Sequence, residues 1–238
     1  MNTVIISNLS IGYRTKVIGS NLNAELQSGQ LTCLLGTNGV GKSTLLRTMA
    51  GLQPALRGKV LFRSGGAETQ AVSELSKGEL ARLVAVVLTE QPDVRQLSVS
   101  DLVGMGRLPY TGFFGLLSHD DCQIVNNSLA QVGIQAFAQR QFDTLSDGER
   151  QKVMIAKALA QQTSVILLDE PTAFLDYPSK VEMMKVLRHM ANDMNKTILL
   201  STHDLDLALQ YADRLLTLKQ GLREITKDEL RTYLQSLT

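Results

Sequence analysis

Gly36-Thr37-Asn38-Gly39-Val40-Gly41-Lys42-Ser43 is the stretch from which the rest of this chain can be read. An apolar run, Leu31-Thr32-Cys33-Leu34-Leu35, leads into it, and Thr44-Leu45-Leu46-Arg47-Thr48-Met49-Ala50 follows with the composition of a helix. Strand, glycine-rich turn, Lys-Ser and helix together make a mechanism out of a spacing pattern. The glycines let the backbone curl until several N–H groups converge on phosphate oxygens, and the helix start adds free N–H groups and the positive end of its dipole. In that setting Lys42 reaches the β- and γ-phosphates and the Ser43 hydroxyl sits on a magnesium ion. The bland alternative is a glycine-rich turn that happens to carry Lys-Ser. Chance produces the pattern in about one chain per hundred of this length, and the flanking strand and helix make it rarer still.

The bulk composition is that of an ordinary folded domain. The 238 residues are 44 % hydrophobic and 20 % charged, enough for one α/β core or a core with a smaller lobe. A net charge of +1 excludes a nucleic-acid polycation and an acidic tail. Cys33 and Cys122 lack metal-ligand spacing, and a reducing, cytosolic compartment suits them better than a disulfide scaffold. Met1 to Ser7 has neither a basic region nor a long apolar core, so no secretory leader is expected. The longest apolar runs, Leu83 to Leu88 and Val165 to Leu168, are too short to span a bilayer. Work at a membrane would need a partner to hold the chain there.

Val4-Ile5-Ile6 and Leu9-Ser10-Ile11 read as one strand broken at Ser7-Asn8. Tyr13, before Arg14 and Lys16, reads as a half-buried strand aromatic. Leu22 to Leu26 alternate, Ser28-Gly29 turns, and Leu31 to Leu35 feeds the phosphate loop, so an antiparallel β patch precedes a βα unit. Gly51 and Pro54 stop the first helix, residues 58–62 form a strand, residues 63–74 read as a surface loop, residues 79–83 as a short helix and residues 84–88 as a buried strand. Beyond residue 89 the character changes. Gly104, Gly106, Pro109, Gly112 and Gly115 punctuate a loop carrying Phe113, Phe114, Leu116 and Leu117, and Ser118 caps a helix from His119 to Val132. The apolar loop is either the core of a small lobe or an exposed docking patch. Leu145 to Glu149 opens a long helix over residues 150–162; strands at residues 165–170, 197–201 and 215–218 then alternate with helices at residues 178–193 and 205–212. That alternation means a parallel sheet with right-handed crossovers.

Val165-Ile166-Leu167-Leu168-Asp169-Glu170 places two carboxylates at the carboxyl edge of that sheet, where the phosphate loop also lies. Asp169 is positioned to hold magnesium, and Glu170, one residue on, to polarise an attacking water. Such a pair can also be a capped loop start; a phosphate loop about 130 residues upstream favours the chemical reading. His203, at the end of another strand, either contacts the γ-phosphate and the water or is structural.

These motifs, with Leu-Ser-Asp-Gly-Glu at 145–149, Ile-Leu-Leu-Asp-Glu-Pro-Thr at 166–172, Leu175-Asp176 and Ser-Thr-His-Asp at 201–204, resemble the nucleotide-binding subunits of ABC transporters in order and spacing over essentially the whole chain. The resemblance implies an α/β fold: a P-loop NTPase (RecA-like) core with an N-terminal antiparallel β patch, residues 1–88 and 163–238, and an inserted helical subdomain, residues 89–162, bearing the signature pentapeptide. It implies ATP and Mg as ligands, held by Gly36, Thr37, Asn38, Gly39, Val40, Gly41, Lys42, Ser43 and Thr44, with Ser43 and Asp169 on the metal. It makes Glu170, His203 and Lys42 the catalytic set and stacks Tyr13 on adenine, against the strand-aromatic reading. Ser146 and Gly148 would contact the γ-phosphate bound to the opposite subunit of a homodimer, and Asp176 would lie in the loop between subunits. A second Leu-Ser-x-Gly-x, at 75–79, precedes a strand without terminal carboxylates and reads only as a helix entry.

Gly-Arg-Leu-Pro-Tyr at 106–110 looks like the ATPases of importers for iron-siderophore, haem and cobalamin complexes. The partners so implied are two permease subunits docked on the helical lobe at the cytoplasmic face of the membrane and, indirectly, a substrate-binding protein, with no nucleic acid. The chain departs from the family twice. Alignment from Leu97-Ser98-Val99 puts Thr89, not Gln91, where the family's magnesium-reaching glutamine stands, although Gln91 stays a candidate to reach nucleotide and magnesium through a shifted loop, and the region after Gly221 is short and polar. Export stays open, since direction lives in the permease. A soluble relative acting on nucleic acid would want a basic patch, a coiled-coil insertion or a second cassette; a non-hydrolysing regulator would not keep both Glu170 and His203.

Overall fold

The computed structural model describes residues 3–14, 16–63, 69–89, 94, 96–112, 115–219 and 221–235. β1 (Thr3–Tyr13) and β2 (Lys16–Gln27) pair antiparallel, and β3 (Gln30–Leu35) leads into α1 (Lys42–Met49). β4 (Arg57–Arg63), β5 (Gln70–Ala71), α2 (Lys77–Leu83) and β6 (Val84–Val87) follow, then three helices, α3 (Val99–Gly104), α4 (His119–Gln131) and α5 (Asp147–Ala160). The remainder alternates: β7 (Val165–Asp169), α6 (Tyr177–Asn192), β8 (Thr197–Thr202), α7 (Leu205–Tyr211), β9 (Arg214–Thr217), β10 (Arg223–Ile225) and α8 (Lys227–Gln235).

Two sheets result, an antiparallel one ordered β2-β1-β4-β5 and a second ordered β10-β9-β3-β8-β7-β6. In the second, all strands but the antiparallel edge strand β10 run parallel. β3 lies between β9 and β8, with Leu35 opposite Thr202, and Asp169 of β7 lies opposite Ser201 of β8. The loops leaving β3, β7 and β8 therefore emerge side by side at one edge.

The central strands are buried on both faces, which is why they read as unbroken apolar runs. Leu34, Leu167, Leu199 and Leu216 face α1 and the antiparallel sheet. Their neighbours Cys33, Leu35, Ile166, Leu168, Ile198 and Leu200 face the other side, in one apolar cluster with Val99, Leu102, Val125, Leu129 and Val153 of α3, α4 and α5. Each of those three helices begins with a reciprocal cap: Ser98 with Asp101, Ser118 with Asp121, Ser146 with Glu149. Ser76 and Glu79 do the same for α2, so the second Leu-Ser-x-Gly-x is a helix entry.

Four sequence expectations need correcting. The break at Ser7-Asn8 is a bulge inside a continuous β1, with Asn8 at φ 46° and the register shifting between Ile6 and Leu9. Within residues 63–74, β5 pairs with β4 and a 3₁₀ turn covers Val72–Glu74. The glycine-punctuated loop is helical over its first part, because the Ser98 cap starts α3 and a 3₁₀ turn, Met105–Arg107, continues it. Gly106 serves close packing there, since a Cβ would overlap the Lys157 carbonyl oxygen of α5. After Gly221 the chain adds β10 and α8, whose Leu230 is buried in the core. Phe113 and Phe114 lie outside the described residues; Leu116 and Leu117 are both exposed, Leu117 with one methyl against Gly104.

Candidate active site

The phosphate loop joins β3 to α1 at the sheet edge. Asn38, Gly39, Gly41, Lys42, Ser43 and Thr44, with Ile18 of β2 and Glu170, line a cavity of about 300 Å³. Gly39 and Gly41 have φ 79° and 111°, and a Cβ on Gly41 would stand 2.6 Å from Ile18 Cγ2, so this turn needs glycine both for its conformation and for its space. The opening N–H groups of α1 have no acceptor within the helix and are available to an anion. Lys42 is buried to 5 % exposure; its ammonium donates to the Gly36 carbonyl at 2.7 Å and the Thr37 carbonyl at 3.5 Å, and pairs with Glu170 Oε1 at 3.3 Å.

Glu170, at φ 51°, turns the chain out of β7, and its carboxylate is held at both oxygens. Oε1 faces Lys42, and Oε2 lies 2.7 Å from His203 Nδ1. With Nδ1–H donating, His203 turns Nε2 outward, and its side chain is 58 % exposed. Asp169 is buried beside it. The Ser201 hydroxyl donates to Asp169 Oδ1 at 2.7 Å and accepts the Glu170 N–H at 3.0 Å, so one buried serine orients both acids. Thr89 donates from Oγ1 to the Asp169 carbonyl at 2.9 Å. The residue that alignment puts in the glutamine's place thus touches the carboxylate strand, whereas Gln91 lies outside the described residues.

Other candidates stand apart from this cavity. Ser146 caps α5 by accepting from the Glu149 N–H, and its own N–H first and then its hydroxyl, donating back, hold the Glu149 carboxyl below its usual range. Gly148, in the first turn of α5, lies against Leu175. Asp176 caps α6 through Ser179, which lowers its own pKa, and lies seven residues after Asp169. Among the described residues, none of these three lines the phosphate-loop cavity. Tyr13 is half exposed at the end of β1 and outside that lining too. Ser201 is the contributor that sequence reasoning missed as a site residue. Ser201 stood inside the quoted Ser-Thr-His-Asp stretch, but only strand pairing brings it to Asp169.

The family profile described as "ABC transporter" matches residues 20–173. The chain is 39 % identical over 216 residues to the achromobactin transport ATP-binding protein of Dickeya dadantii, covering 90 % of this chain and 78 % of that one. It is 36 % identical to the iron(3+)-hydroxamate import ATP-binding protein of Bacillus subtilis, over 98 % of this chain and 85 % of the other. The chain belongs to the ABC transporter family. As an ABC ATPase it also has the fold expected of one: a solved structure described as a metal-chelate type ABC transporter in an inward-facing conformation superposes with TM-score 0.83 at 28 % identity, over 96 % of this chain and 85 % of that one. The α/β core with its antiparallel sheet and inserted helices is therefore the ABC ATPase cassette.

The donor set suits magnesium held jointly with a phosphate. Among the described residues no cluster of three or more His, Cys, Asp or Glu could hold a metal unaided. Ser43 presents an exposed hydroxyl and Asp169 a carboxylate fixed by Ser201, the small protein share that Mg²⁺ needs when phosphate oxygens and water complete its shell. No helix among the described residues is long and apolar enough to cross a membrane.

Proposed function

We propose that this ABC ATPase is the energising subunit of an importer for an iron chelate, haem or cobalamin. Two copies close around two ATP molecules beneath two permease subunits, on the cytoplasmic face of the membrane, with a substrate-binding protein acting from the far side. The observation that carries the hydrolytic part is the clamp on Glu170, with Lys42 on one oxygen, His203 on the other and Ser201 holding its backbone. ATP supplies the phosphoanhydride and Mg²⁺ the charge neutralisation. Lys42 and the N–H groups of the loop bind the β- and γ-phosphates, Ser43 and Asp169 hold the metal, and Tyr13 packs on the base. Glu170 orients and deprotonates water, and His203 keeps the carboxylate aimed. Ser146 and Gly148, which lie outside the cavity of their own chain, complete the partner's site as the family resemblance implies. The import reading is supported by the names of the two relatives, which transport achromobactin and import iron(3+)-hydroxamate.

Glu170→Gln tests this. The variant should bind ATP with unchanged affinity, hydrolyse it at least a hundredfold more slowly and run as a dimer by light scattering only with nucleotide. Normal turnover in that variant would show that Glu170 is not the base that activates the water.

A further inference from the structure

The Gly-Arg-Leu-Pro-Tyr stretch at 106–110 lies outside the lining of the phosphate-loop cavity, yet its side chains are spent on an unusual set of contacts. Arg107 is 5 % exposed. Its Nε donates to Asp121 Oδ1 of α4 at 2.8 Å, and its Nη1 donates to the Ala160 carbonyl at 2.8 Å and to Gln162 Oε1 at 3.0 Å, at the end of α5. Tyr110 lays its ring 4.1 Å from that guanidinium and donates its hydroxyl to the Gln161 carbonyl at 2.9 Å. The Pro109 carbonyl accepts from Arg82 of α2, and Gln161 donates to the Ala81 and Val84 carbonyls where α2 meets β6. Arg107, Pro109 and Tyr110, with Arg82 and Gln161, thus bolt the last turn of α5 to α4 on one side and to the sheet-bearing core on the other.

The far end of the same helix carries Ser146 and Gly148. α5 has 14 residues and is a rod of about 21 Å. The rod is packed along its length through Val153, Ile155 and Leu159, and the clamp fixes the end away from Ser146, where a few degrees of play moves the tip by more than an ångström. We infer that Arg107 and Tyr110 are positioning residues, a pivot that sets where Ser146 and Gly148 meet the nucleotide of a second copy. The inference rests on the dimer reading above.

Full-length Arg107→Met and Arg107→Lys test it, each alone and in the Glu170→Gln background. Arg107→Met should lower kcat for ATP at least tenfold and leave KM and the Kd for a fluorescent ATP analogue within twofold. In the Glu170→Gln background it should raise the protein concentration needed for the ATP-bound dimer at least tenfold. Arg107→Lys keeps the charge but has no fork to reach Asp121 and two further acceptors, so it should fall between. If Arg107→Met does not fold, Tyr110→Phe, which keeps the ring and loses the bond to Gln161, should lower kcat about threefold with the Kd unchanged. Two results overturn the pivot: a folded variant with normal kcat and dimerisation, or one whose Kd weakens as much as kcat falls, which marks a general structural role. Glu170→Gln that stays monomeric with ATP bound overturns the dimer reading, and the pivot with it.

Discussion

Ser201 makes the residue-scale case most clearly. It is fully buried, donates to Asp169 and accepts from the Glu170 backbone. Ser201→Ala leaves a buried carboxylate oxygen and a buried N–H without that partner, a loss of about 1–3 kcal/mol. Urea unfolding followed by circular dichroism should show it, and phosphate release should slow about tenfold as the two acids lose alignment. The two cysteines separate in the same way. Cys33 is buried in β3, and burial first, then the nearby Asp213 charge, pushes its thiol up to about 12, whereas Cys122 is exposed. A maleimide at pH 7 should label one thiol per native chain and two in denaturant. Neither serine nor cysteine announces this from the linear sequence, because strand pairing and burial decide both.

At the scale of elements, α4 is started by Ser118 and Asp121 and anchored by Arg107. The Ser118 hydroxyl foremost, and then Arg107, lower the Asp121 carboxyl from its ordinary 3.8 to about 2. A carboxyl depressed on folding contributes stability that is fully present above the unfolded value and is lost as pH falls through the folded one. Wild type should therefore lose urea resistance between about pH 4 and pH 2 more steeply than Asp121→Asn, and the gap between the two should close toward pH 2. The cap on α4 was legible because its signal is local, a serine three residues before an acid ahead of an apolar periodicity. Helix α3 was not: Gly104 and Gly106 look like loop punctuation until Leu117 is seen against the first and α5 against the second.

The whole molecule is two apolar clusters on either face of one parallel sheet. Adjacent residues of β8 serve different clusters, Leu199 toward the antiparallel sheet and Leu200 toward the helices. Because the strand is shared, Leu199→Ala and Leu200→Ala should each cost about 2–5 kcal/mol, and each should unfold in one transition by both far-ultraviolet circular dichroism and tyrosine fluorescence. Two separated transitions would mean that the layers melt independently.

What the sequence determined by itself is what is encoded within a few residues: the phosphate-binding turn, the starts of α4 and α5, the strand-ending Asp169-Glu170 and the buried runs that make a parallel sheet. Backbone conformation, capping and periodicity are local physics, so they can be read locally. The tertiary structure decided the rest. It set β3 between β8 and β9, brought Ser201 across 32 residues and Thr89 across 80 to the Asp169 strand end, and closed Arg107 onto α5 from 53 residues away. Those contacts arise where strand order and helix packing bring distant segments together, and no short stretch of chain specifies its partner across such a distance.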